Sequence, residues 1–86
     1  MNQYRVSLWM ENQGDIPDVD LQFQVVNAVP KPDELVMAAF FLAGKRWARL
    51  VEVEAWNGSH WFRSLRVQNV SLNGTSDVWF SGGTGS

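Results

Sequence analysis

Near the start of the chain Tyr4, Val6, Leu8 and Met10 alternate with Arg5, Ser7, Trp9 and Glu11. This is the period of two by which a strand buries one face and wets the other. Trp9 falls among the polar positions. The stretch from Asn12 to Asp18 is rich in turn formers, and beyond it Val19, Leu21, Phe23 and Val25 alternate with Asp20, Gln22 and Gln24, so a first hairpin with a long acidic loop is predicted. Pro30 and Pro32 close the second strand, and Pro32 followed by Asp33 and Glu34 suits the first turn of a helix. The pattern predicts that helix over 32–43, stopped at Gly44. Its body, Leu35-Val36-Met37-Ala38-Ala39-Phe40-Phe41-Leu42-Ala43, is apolar all round, whereas a surface helix keeps a polar stripe. More than one of its faces is therefore expected to be covered, with Met37, Phe40 and Phe41 as the face for a second copy of the chain.

The last third reads as a three-stranded meander: a strand over 47–56, a second over 59–72 and a third over 75–81, joined by Asn57-Gly58 and Asn73-Gly74. Asn-Gly is the preferred pair for two-residue hairpin turns. Such a turn at Asn57-Gly58 sets Glu54 opposite Trp61, Glu52 opposite Arg63 and Leu50 opposite Leu65 on one face. Arg49 and Arg66 then fall on the other. Both sheet faces carry apolar residues and one helix covers only one of them. Either the sheet curls on itself or a second surface awaits a partner. The fold class is α+β: an antiparallel sheet of about five strands, β-β-α-β-β-β along the chain, with one helix packed on it. A single domain is expected over 1–81, followed by a flexible Gly/Ser tail over 82–86.

The composition agrees with one small domain: 86 residues, 45% hydrophobic and 19% charged, are enough for one core and too few for two. Aromatic content is high, with five Trp and five Phe. Without cysteine there is no disulfide framework, thiolate metal site or redox switch, and a reducing cytoplasm is the expected home. The longest apolar run, Leu35 to Ala43, is nine residues, about half of the roughly 18 to 20 a bilayer span needs. No basic segment with an apolar core opens the chain, so neither export nor membrane insertion is expected. The sequons at Asn57 and Asn73 are read as turns. Residues 1–34 carry six acids against Arg5 and Lys31, while residues 35–86 carry five bases against Glu52, Glu54 and Asp77. The molecule is thus dipolar, with a formal net charge of -2.

The stock of catalytic groups is thin. His60 is the only imidazole and follows a turn, which suits an exposed surface histidine. Glu52 and Glu54 share a strand face, but an arginine opposite makes a cross-strand ion pair the simpler reading than a carboxylate pair. Asp15, Asp18 and Asp20 lack the Gly and distant Glu of a calcium loop. No enzyme, cofactor or metal is expected.

Binding remains. Trp47, Trp56 and Trp61 beside Arg46, Arg49, Arg63 and Arg66 hold the ingredients of a single-strand nucleic-acid platform. An isoelectric point near 5.1, and a register that puts Arg49 and Arg66 away from the rings, oppose it. Trp and Arg are also the residues most enriched at protein-binding hot spots. Trp9, Trp56, Trp61 and Arg63, flanked by Glu52 and Glu54, form the expected protein-binding set.

In its small size, mild acidity and strand-strand-helix-meander layout, the chain resembles small phage-encoded inhibitors of the anti-CRISPR kind. The resemblance is one of layout and carries no residue across. It implies a stoichiometric blocker of a nucleic-acid-handling effector in a bacterial cytoplasm, with Asp15, Asp18, Asp20, Glu52 and Glu54 imitating nucleic-acid phosphates. A single-strand-binding protein and a homo-oligomeric accessory protein are the alternatives.

Overall fold

A computed structural model describes residues 2–11 and 14–72, with the backbone of 78–80. Four antiparallel strands make the body of the sheet: β1 (Asn2–Trp9), β2 (Val19–Val25), β3 (Trp47–Trp56) and β4 (Trp61–Leu72). Across the sheet they run β2-β1-β3-β4, and a three-residue segment, β5 (Val78–Phe80), pairs with β4 at the far edge. Of the fifth strand expected over 75–81, only this three-residue edge piece lies among the described residues. The Asn73-Gly74 turn and the Gly/Ser tail lie outside the described residues. Among the described residues no helix is long and apolar enough to cross a membrane.

The helix α1 spans Pro32–Ala43, between β2 and β3 in the chain. Glu34 reaches back to accept the Lys31 N–H at 2.8 Å, satisfying a donor at the helix entrance. At the other end Gly44 takes φ 67°. Its N–H donates to the Phe41 carbonyl, and the Lys45 N–H donates to the Phe40 carbonyl. That pairing is a Schellman stop, which needs a residue comfortable at positive φ.

Tyr4, Val6 and Leu8 of β1, Val51 and Val53 of β3, and Leu65, Val67 and Val70 of β4 are buried with Leu35, Val36, Ala39 and Phe40 of α1. Each such large side chain contributes about 1.5–3 kcal/mol on burial. Among the described residues nothing covers the side of the helix that carries Phe41 and Leu42, which stay exposed. Phe40, expected on a face for a second copy, is 0% exposed. It belongs to the core, because it lies one turn beyond Val36 on the side of the helix that meets the sheet.

Two irregularities set which residues face the core. At the β3–β4 hairpin Trp56 pairs with Trp61, Ala55 with Phe62 and Glu54 with Arg63. Beyond a shift at Val53/Glu54, Val53 pairs with Leu65 and Glu52 with Arg66. Ser64 is the extra residue of this bulge, and its hydroxyl donates to the Val53 carbonyl at 3.2 Å. Farther along, Asn69 adopts φ 54°, and the buried positions step from Val51 and Val67 to Ala48 and Val70. The two-residue turn expected at Asn57-Gly58 is therefore replaced by a loop of four residues, 57–60. A type I′ turn needs positive φ at both central residues, and Gly58 has it while Asn57 does not. Instead the Asn57 carboxamide oxygen accepts the backbone N–H groups of Ser59 and His60, an Asx arrangement that closes the wider loop.

Candidate interaction surface

The sheet face opposite α1 is built from the alternate residues of four strands. Strand pairing sets them in rows: Gln24, Gln3, Trp56 and Trp61; then Gln22, Arg5, Glu54 and Arg63; then Asp20, Ser7, Glu52 and Arg66. Arg5 is the hub. Its Nε donates to Glu54 Oε1 at 2.7 Å, and its guanidinium carbon lies 4.5 Å from the centroid of the Trp61 ring. Trp61 in turn tilts against Trp56 with ring centroids 5.4 Å apart. Glu52 lies between two guanidinium groups, with Arg66 Nε at 3.1 Å and Arg63 Nη1 at 3.5 Å. Each of these partly exposed ion pairs is worth about 0–1 kcal/mol. Their main effect is to hold the long side chains flat across the strands.

The hairpin loop beside the rings is ordered by its own side chains. Ser59 Oγ donates to Asn57 Oδ1, the Asn57 amide nitrogen is 3.3 Å from His60 Nε2, and His60 Nδ1 is 3.1 Å from Ser59 Oγ. With the single hydroxyl proton used on Asn57, the ring closes only if His60 carries its proton on Nδ1. His60 is exposed, as a surface histidine should be. Among the described residues no three His, Cys, Asp or Glu side chains converge where they could hold a metal ion.

The structure brings together Trp56, Trp61, Arg63, Glu52 and Glu54, and separates the other candidates. Trp9 lies on the same face but six residues farther along β1 than Gln3, about 20 Å from the Trp56–Trp61 row at strand rise. It is 9% exposed, and its Nε1 donates to the Asp15 carbonyl at 3.1 Å. The loop folds back and covers it, so Trp9 is structural and not a free contact ring. Trp47 stands at the opposite end of β3 from Trp56, about 30 Å away, and takes no part in a shared platform. Asp18 uses Oδ2 to accept the Met10 N–H at 2.7 Å. Asp20 sits two strands, about 10 Å, from Glu52, so the five acids do not form one strip. Glu52 and Glu54 are each countered by a guanidinium.

Two features escape the sequence. Arg5 binds a ring and a carboxylate contributed by strands far along the chain, and only its polar position in the β1 alternation hinted that it faced away from the core. The bulge at Ser64 moves Arg66 to the ring side, where the two-residue turn had excluded it. Behind that row an open cleft of about 390 Å³ is lined by Trp9, Asp15, Arg49 and Arg66, among others. No family model, curated protein or solved structure matches the chain. Its surface must therefore be judged by its own geometry.

Proposed function

We propose that this chain is a non-enzymatic protein-binding module that acts by occupying a partner's surface, with the Trp56–Trp61 end of the open sheet face as its centre. One observation supports this reading above the others: a tilted tryptophan pair, Trp56 being 37% exposed, is pinned by Arg5 on a sheet face the helix leaves uncovered. Rings held in place lose little freedom on binding, and Trp with Arg at the middle of a contact is the usual source of its energy. Blocking a nucleic-acid-handling effector in a bacterial cytoplasm is the concrete form of the reading, supported by the resemblance of layout. Of the acids, Asp15 and Asp20 remain available for imitating phosphate.

The test compares partners captured from bacterial lysate by the wild type, Trp56→Ala, Trp61→Ala and the distant control Phe41→Ala, with folding checked by circular dichroism. Partners lost with both tryptophan variants and kept with the control are expected. Folded tryptophan variants that retain every partner would refute the surface. A second reading, single-stranded nucleic acid on the same face, is favoured by the presence of Arg63 and Arg66 beside the rings. It requires salt-dependent quenching of tryptophan fluorescence by oligonucleotides.

A further inference from the structure

Independently of the tryptophan surface, β2 has properties of its own. It is an edge: among the described residues its only sheet neighbour is β1. Edge strands of monomers are normally blunted by a lysine, a proline, a bulge or brevity. β2 has seven residues in unbroken register with β1 and carries none of these devices. Its one charge is Asp20, on the exposed side with Gln22 and Gln24. On the other side Leu21 and Phe23 pack against the rim of the core yet remain half-buried, because α1 lies across β1, β3, β4 and β5 and not over β2.

We propose that β2 pairs with β2 of a second copy of this chain, antiparallel about a two-fold axis through Gln22, joining the two sheets into one. The pattern of the strand selects both the occupant and the register. Antiparallel neighbours share a face only when apolar positions oppose apolar ones, so the axis must pass through a residue and not between two. An axis at Gln22 overlaps all seven residues. Leu21 of each copy meets Phe23 of the other, completing the apolar cover that the helix does not supply, and Asp20 of each copy meets the carboxamide of Gln24, a hydrogen-bond donor. An axis at Asp20 would set like charges directly opposite, which is unfavourable. The strand is thus self-complementary in charge and shape at its fullest overlap.

Sedimentation of the wild type over rising concentration is expected to show the mass moving from 9.8 kDa toward twice that value. Gln24→Asp creates two Asp–Asp oppositions per dimer and Gln24→Lys two Lys–Asp pairs. Gln24 is exposed, so neither substitution disturbs the fold, which far-ultraviolet circular dichroism checks. At about 0.2–1 kcal/mol per cross-strand pair, counted twice by symmetry, the dimer Kd should rise about 2- to 30-fold with Gln24→Asp and fall by a similar factor with Gln24→Lys. A wild type that stays monomeric to about 1 mM overturns the proposal, and is the result expected if β2 instead accepts a strand of a different protein. A dimer whose Kd responds to neither substitution overturns it equally, since the copies would then meet elsewhere.

Discussion

Phe40 and Phe41 are neighbours in sequence and opposites in environment, which makes their truncation a strict test of how α1 lies on the sheet. Phe40 is 0% exposed and Phe41 is 69% exposed, as befits residues about 100° apart around a helix. Phe40→Ala removes a fully buried ring and leaves a cavity in the core that α1 shares with the sheet, a change that costs about 3–5 kcal/mol. At about 0.05–0.15 kcal/mol per residue, a chain of 86 residues has a total stability of about 4–13 kcal/mol, so this one substitution consumes a large part of it. With a urea slope of about 1–2 kcal/mol/M, the unfolding midpoint should fall by about 1.5–5 M, or the variant should be unfolded outright. Phe41→Ala should stay within about 0.5 kcal/mol of the wild type. Urea melts followed by tryptophan fluorescence measure both. Equal costs for the two, or a larger cost for Phe41→Ala, would mean that the helix packs through a different face, and the core described above would be wrong.

Arg5→Met should cost about 0.5–2 kcal/mol through the lost Glu54 pair and Trp61 contact and should shift the tryptophan emission. Arg5→Lys should restore only part, because an ammonium pairs with the carboxylate without stacking as a guanidinium does. Unchanged emission and midpoint in Arg5→Met would show that the hub is not formed in solution. Gly44→Ala should lower Tm by about 4–16 °C, reflecting about 1–2 kcal/mol of left-handed strain. A β-carbon there would meet no atom within 4 Å, so an unchanged or higher Tm would remove the helix stop inferred from its dihedral.

Local chemistry was legible in the sequence wherever it decides local structure. The helix bounds at Pro32 and Ala43, the stop at Gly44 and the β2 span are found where proline, glycine and the two-residue alternation place them. The β3–β4 register was not legible, because Asn57-Gly58 fits both a two-residue turn and the first half of a wider loop, and the choice depends on whether Asn57 takes positive φ. The contact of Arg5 with Glu54 and Trp61 joins residues about fifty positions apart, and no local pattern encodes such a pairing. Trp9 shows the converse: its polar position in the alternation was correct, and its burial comes from a loop folding over the sheet's wet face.

The extra residue at Ser64 works as a parity switch. Residues before it in β4 and residues between it and Asn69 obey opposite rules for which side of the sheet they occupy, so Phe62 and Leu65 share the core side while Trp61 and Arg66 share the other. Deleting Ser64 alone would change the composition by one residue and leave every other side chain in the chain, yet it would force either the hairpin end or the strand body to exchange faces. Through that one position, the sequence sets the register in which its surface is written as well as the letters it uses.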